Sequence, residues 1–232
     1  MHPWDKHYWR YWRVVLIVFD WDGTLCDSVA RIVHAMQSAA QDVGVVPPTD
    51  VAVRNIIGLG LPQAMLRLFP ECINRHSDLI TAYSHHFTHS SHIPESALFD
   101  GVRAMLETFQ SSGHELAVAT GKSRRGLDRG FAQFDLGEMF TYSRCADETR
   151  SKPHPQMLQE LLDVSWTEVA DALMIGDSSY DLEMAAAMGM SAIGVTYGVH
   201  SSTVLRAYSP IDLVGSVEDL HVAIDRWITQ RG

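Results

Sequence analysis

The run Val14-Val15-Leu16-Ile17-Val18-Phe19, followed at once by Asp20-Trp21-Asp22-Gly23, does most to constrain the fold. An unbroken β-branched, aliphatic and aromatic run reads as a strand buried on both faces, which points to a parallel sheet. Segments 115–119, 172–175 and 191–195 read the same way, with a fifth short strand around 211–214. Helix-period stretches at 102–110, 123–134, 155–162, 181–188 and 217–229 lie between or after them. Strands alternating with helices build βαβ units, so the expected fold is α/β, a Rossmann-like doubly wound parallel sheet. Residues 27–96 break this rhythm, with helix-like patterns at 28–43, 50–57, 62–68 and 73–89 and no clear buried strand. A parallel crossover needs only about a dozen residues or more. The surplus is read as an inserted α-helical subdomain at 27–96, which leaves 14–26 and 97–232 as the core.

Composition narrows the function. The chain has 232 residues, 46% of them apolar and 20% charged, as an ordinary soluble globular protein does. Its 18 basic and 28 acidic residues give a net charge of −10, which argues against nucleic acid and against a polybasic membrane binder. A small anionic substrate needs only local positive charge and remains open. Cys26, Cys72 and Cys145 show no CxxC spacing, so a disulfide framework and a cysteine zinc site are excluded and a reducing cytoplasm is expected. No apolar run approaches the roughly 18 residues of a membrane span. Residues 1–13 hold Trp4, Trp9 and Trp12 among Lys6, Arg10 and Arg13. They read as a poorly ordered leader or an early translation start, in preference to an interfacial arm, because no helical apolar face is present.

Four expected strand ends carry polar residues. The first ends in Asp20-Trp21-Asp22-Gly23-Thr24-Leu25, and the next in Thr120-Gly121-Lys122. Lys152-Pro153 follows a short apolar run near 139–142, and 173–175 ends in Gly176-Asp177-Ser178-Ser179-Tyr180-Asp181. In a parallel sheet these carboxyl ends form the ligand crevice. Singly, each is an acidic turn, a helix start or an N-cap; jointly they fit phosphoryl transfer. Asp20 and Asp177 can hold one Mg²⁺, a hard cation that takes carboxylates, waters and phosphate oxygens. The Thr120 hydroxyl, the Gly121 N–H and the Lys152 ammonium can meet phosphoryl oxygens. Asp20 suits a nucleophile that forms an aspartyl-phosphate, and Asp22 a general acid/base.

These motifs resemble those of the haloacid dehalogenase-like hydrolases over about residues 14–230. The likeness is strongest to the phosphoglycolate-phosphatase-like branch, through Ala119-Thr120-Gly121-Lys122-Ser123 and Cys145-Ala146-Asp147-Glu148-Thr149 with Lys152-Pro153-His154-Pro155. The resemblance implies Asp20 as nucleophile, Asp22 as acid/base, and Mg²⁺ on Asp20, the Asp22 backbone carbonyl and Asp177. It implies that Asp181 supports the site from behind or through water, and that 27–96 is a cap closing over a small phosphorylated metabolite, phosphoglycolate or a similar one. The family's true dehalogenases lack the second aspartate, which is present here as Asp22. Its phosphonate-cleaving branch uses a cap lysine, and 27–96 contains none. A phosphosugar mutase of the β-phosphoglucomutase kind keeps Asp22 and stays open beside the phosphatase, as does a non-catalytic interaction protein on this scaffold.

Other residues carry two readings each. His85, His86, His89 and His92 are close in sequence, and His85 and His89 at i,i+4 could share a metal; a solvated helix end is preferred, since no carboxylate motif accompanies them. Lys122, Arg124, Arg125 and Arg129 form a positive patch beside Thr120, of which Lys122 is placed to reach substrate. The Ile56–Pro62 segment resembles a cap loop dipping toward the site. Arg54 before it either meets a second anionic group of the substrate or lies on the surface. Trp21 is bulkier than the aliphatic residue usual between the two acids and is read as a packing residue.

Overall fold

The structure is a computed structural model that describes residues 14–91, 93 and 95–231. The aromatic leader 1–13 and His92 lie outside the described residues. The described residues form eight strands: β1 (Leu16–Phe19), β2 (Cys26–Asp27), β3 (Ala97–Leu98), β4 (Glu115–Thr120), β5 (Tyr142–Cys145), β6 (Ala172–Gly176), β7 (Ser191–Val195) and β8 (Asp212–Val214). The helices are α1 (Val29–Val43), α2 (Asp50–Arg54), α3 (Leu61–Leu68), α4 (His76–His89), α5 (Val102–Ser111), α6 (Arg124–Phe134), α7 (Gln156–Ser165), α8 (Ser179–Met188), α9 (Ser202–Arg206) and α10 (Val217–Thr229).

Six strands form one sheet in the order β5-β4-β1-β6-β7-β8, and every adjacent pair is parallel. Side chains alternate across a strand, and β1 shows both faces covered. Ile17 and Phe19 join one apolar layer with Leu106 and Phe109 of α5 and Ile224 and Trp227 of α10. Leu16 and Val18 join the opposite layer with Leu158 and Leu161 of α7 and Leu182 of α8. A strand buried on both faces must be apolar throughout, which is why the 14–19 run is so legible. Chain order reverses across β1: β4 and β5 lie on one side, β6 and its successors on the other. That reversal opens the crevice beyond the carboxyl ends of β1, β4 and β6.

The helical unit leaves and rejoins the core through a short antiparallel pair, Cys26 opposite Leu98 and Asp27 opposite Ala97. It has its own apolar core, in which Ile32, Val33 and Met36 of α1 meet Val53, Met65 and Leu79. The helix expected over 50–57 stops at Arg54. Ile56 and Ile57 bond to carbonyls three residues back, and the tightened turn leads into Gly58 at φ +101°. The helix expected over 73–89 starts at His76, after a 3₁₀ segment at Pro70–Arg75. The strand beside the 139–142 run lies slightly later, at Tyr142–Cys145, and buries only Cys145 fully. An edge strand needs no apolar run, and this one includes Ser143 and Arg144.

Trp21 is buried and packs edge-on to Phe131 at 5.4 Å, with Phe134 at 6.2 Å. Gly130 makes room for the indole: a Cβ there would lie 2.8 Å from Trp21 Cζ2. Gly130→Val is expected to lower stability by about 1–3 kcal/mol through overpacking. In a Trp21→Leu background most of that cost should vanish, a coupling that a double-mutant cycle in urea would measure.

Candidate active site

The carboxyl ends of β1, β4 and β6 bring Asp20, Thr120 and Asp177 together. Asp20 extends the sheet by one bond, its N–H donating to the Ile175 carbonyl at 2.9 Å. The chain then turns tightly, with the Leu25 and Cys26 N–H groups both donating to the Trp21 carbonyl. Gly23 takes φ +83°, and a Cβ there would fall 2.2 Å from Asp177 Oδ2, so no other residue fits this turn without displacement. Asp177 is fully buried. Its Oδ1 accepts from the Thr24 hydroxyl at 3.0 Å and its Oδ2 from the Val199 N–H at 2.8 Å. Lys152, also buried, donates to Asp20 Oδ1 at 2.7 Å and to Asp181 Oδ1 at 2.6 Å. Asp181 sits in the first turn of α8, where its Oδ2 accepts from the N–H and hydroxyl of Ser178.

Three carboxylates, of Asp20, Asp177 and Asp181, present oxygens within 4.8 Å of one another. With Lys152 as the countercharge, their formal sum is −2 in a water-poor pocket. Burial raises the Asp20 carboxyl to about 7; Lys152 opposes the rise, and Asp181 and Asp22 add to it. Asp177 is raised well above the usual carboxylate range, first by burial and then by Asp20 and Asp181. Burial disfavours the Lys152 ammonium, but Asp181 and Asp20 outweigh it and raise its pKa. Asp20 Oδ2 is buried without a hydrogen-bond partner among the described residues. Buried carboxylates of this kind are costly unless a cation or proton compensates them. Both oxygens of Asp181 and both of Asp177 already accept hydrogen bonds, those of Asp181 including one from the Lys152 ammonium, whereas Asp20 has one oxygen without a partner among the described residues. The donor set, all oxygen and doubly negative, fits a hard divalent cation held chiefly by Asp20 and Asp177.

Asp22 has partners of its own. Its Oδ1 accepts from the Ser28 hydroxyl at 2.5 Å and pairs with Lys122 Nζ at 2.9 Å. The same ammonium lies 4.7 Å from the centre of the Phe87 ring, on α4 of the helical unit. Lys122 thus joins a core carboxylate to an aromatic face of the insertion. Thr120 is buried, and its hydroxyl oxygen accepts from the Lys122 N–H at 3.2 Å. Gly121 lies hard against the 56–62 loop, where a Cβ would come within 2.6 Å of the Leu59 carbonyl. The loop is fixed to the core by Gly60 N–H donating to Ser151 Oγ at 2.7 Å and by the Tyr180 hydroxyl donating to the Asn55 carbonyl at 2.6 Å. Between loop, α4 and core is a cavity of about 120 Å³ that Asp20, Asp22, Lys122 and Arg129 help to line.

The structure does not bring Arg54 to this cavity. Its guanidinium pairs with Asp50 one helical turn back, on an exposed face. Arg124 is also engaged elsewhere, with Glu148 and Asp128. His85 and His89 stack at 4.8 Å, His86 meets Asp42, and among the described residues no three-ligand metal cluster includes them. Four residues of the site escaped the sequence reading as participants: Thr24, Ser28, Ser178 and His200. The buried His200 ring accepts the Ser179 N–H on Nδ1, and its backbone N–H donates to the Asp177 carbonyl. Burial lowers its pKa, with Asp181 opposing, so a neutral imidazole braces the Asp177 loop.

Comparison with known proteins agrees with this geometry. The family model of haloacid dehalogenase-like hydrolases matches residues 17–195. A 5'-nucleotidase of Pseudomonas aeruginosa is 33% identical over 84% of this chain and 88% of its own length. A phosphoglycolate phosphatase of Vibrio parahaemolyticus is 27% identical over 89% and 94%. A hydrolase from Pseudomonas syringae superposes with a TM-score of 0.82 at 20% identity, covering 91% of this chain and 98% of that one, which speaks for the fold alone. The chain belongs to the haloacid dehalogenase-like hydrolases. Within that family it is a phosphoric monoester hydrolase.

The raised Asp20 carboxyl has a consequence for stability. Between its ordinary value of 3.8 and its folded value of about 7, the folded state binds the proton more tightly than the unfolded chain does. Without divalent cation, stability is therefore expected to fall as pH rises from about 4 to about 7. Added Mg²⁺ should restore progressively more of it over the same range, as melting temperatures with Mg²⁺ and with EDTA would show.

Proposed function

We propose that the protein is a Mg²⁺-dependent phosphatase that hydrolyses a small phosphorylated metabolite in the cytoplasm through an aspartyl-phosphate on Asp20. The observation that carries this reading is the Asp20 carboxylate itself. One oxygen is bonded to Lys152, and the other is buried beside Asp177 without a partner among the described residues. Asp20 and Asp177, with the backbone carbonyl of Asp22, would hold Mg²⁺. When bound, the ion neutralises charge on the carboxylates and on the phosphoryl oxygens.

The chain's own residues account for the remaining steps. An oxygen of Asp20 attacks phosphorus, the ester P–O bond breaks, and Asp22 gives a proton to the departing alkoxide. Water then attacks the phosphorus of the acyl phosphate, Asp22 takes its proton, and inorganic phosphate leaves. Lys152, the Thr120 hydroxyl and the Gly121 N–H stabilise the equatorial oxygens, whose charge is the main demand of phosphoryl transfer. Asp181 keeps Lys152 aimed at Asp20. Lys122 holds Asp22 and touches Phe87, so the helical unit acts as a cap whose seating and the position of the acid are linked. Excluding water from this site strengthens each of these interactions.

Asp20→Asn should abolish phosphate release from a panel of phosphomonoesters, and EDTA should do the same to the unaltered enzyme. Retention of most Mg²⁺-dependent activity in Asp20→Asn would refute the assignment. Asp177→Asn should retain the fold but need at least tenfold more Mg²⁺ for half-maximal rate, read from a Mg²⁺ titration. Aspartyl-phosphate trapped on Asp20 with a slow substrate should be visible by intact-protein mass spectrometry.

A further inference from the structure

The cavity above Asp20 and Asp22 is unlike the charged centre beneath it. Its wall on the helical unit is apolar: Ile32 and Met36 of α1, Ile56 of the loop, and Tyr83 and Phe87 of α4. Among the described residues, no lysine or arginine of that unit lines it. Tyr83, whose ring lies 5.9 Å from Phe87, takes no hydrogen bond among the described residues, and burial together with Asp22 raises its phenol pKa. The wall is therefore neutral. Two cations line the cavity from the core side. Lys122 is already engaged by Asp22 and by the Phe87 ring, and Arg129 is exposed.

We infer that the enzyme selects phosphomonoesters whose leaving group is an uncharged, largely apolar body of about ring size, and discriminates against leaving groups bearing a second anion. This rests on the proposed phosphatase reading of the same site. The phosphate is met by Lys152 and by the donors at the end of β4, so the leaving group extends past Asp22 toward the apolar wall. A carboxylate carried against that wall would lose its hydration and meet no cation of the helical unit, with Arg129 available only from the exposed core side, a cost that an uncharged group avoids. The cavity of about 120 Å³ also has to admit the phosphoryl group at Asp20 and opens to solvent, so the part against the wall suits a compact apolar body that reaches toward the opening. The tilted pair of Tyr83 and Phe87 offers that body two aromatic surfaces.

The test compares benzyl phosphate, ethyl phosphate and 2-phosphoglycolate, all primary phosphomonoesters, by kcat/KM at saturating Mg²⁺. Benzyl phosphate is expected to exceed 2-phosphoglycolate at least tenfold, with ethyl phosphate between them. Ser84→Arg adds a cation to an exposed position on the cavity rim and should narrow the gap by favouring 2-phosphoglycolate. Binding of benzylphosphonate and phosphonoacetate, measured by calorimetry with Mg²⁺, should follow the same order without turnover. Hydrolysis of 2-phosphoglycolate as fast as benzyl phosphate, lost in Asp20→Asn, would overturn the selectivity and leave the phosphatase reading standing. A preference for benzyl compounds that Ser84→Arg does not change would overturn the neutral wall as its cause. Absence of phosphate release from all three esters and from a wider panel would overturn the phosphatase reading, and this inference with it.

Discussion

The ion pair between Lys152 and Asp20 is the constraint on which the rest of the site depends. Both groups are almost wholly removed from water, and neither could remain charged there alone. Lys152 is shared with Asp181, and Asp181 is tied in turn to the start of α8 through Ser178. A single ammonium thus registers three parts of the chain: the end of β1, the loop before α7 and the first turn of α8. The arrangement is still two charges short of neutral, and the free oxygen of Asp20 marks where the compensation is needed. Stability and chemistry make opposite demands here. The cation deficit that burdens the metal-free fold is also what suits the centre to a divalent cation.

The sheet topology explains why these groups can meet although 161 positions separate Asp20 from Asp181. β1 lies between β4 and β6, so three strand ends open on one point. Backbone hydrogen bonding holds those ends at fixed spacing, while the turn through Gly23 brings Thr24 back onto Asp177. The local acidic excess is tolerated because each carboxylate is given specific donors: Lys152 and Ser178 for Asp181, Thr24 and Val199 for Asp177, Ser28 and Lys122 for Asp22.

Much of this was legible in the sequence because its signals are local. A doubly buried strand must be apolar along its length, and carboxylates directly after it stand at the rim of the crevice. Asp20, Asp22, Thr120, Lys152 and Asp177 could therefore be placed without coordinates. What could not be read depends on partners distant in the chain. The edge strand β5 and the two-residue β2 and β3 carry no apolar run, and α9 has only five residues. Ser28 looks like an N-cap before α1, yet its side chain makes no cap and serves Asp22 instead. His200 in Gly198-Val199-His200 has no spacing that ties it to Asp177. Arg54 is different, since Asp50 stands four residues before it on the same helix face, and that i,i+4 spacing already pointed to a surface pair.

Lys122 shows how the two halves of the molecule divide the task. The core supplies charge, and the helical unit supplies an apolar surface with no lysine anywhere between residues 27 and 96. A charged centre beside an apolar surface sits in a low-dielectric environment, where each interaction with a phosphoryl group is stronger than in water. A cap lined with lysines would compete with the metal for the phosphate and for Asp20. Lys122 avoids that conflict because it belongs to the core, is balanced by Asp22, and meets the cap only through the face of Phe87. The residue that pairs with Asp22 thus also touches the helical unit, and this ties the position of that carboxylate to the packing of α4.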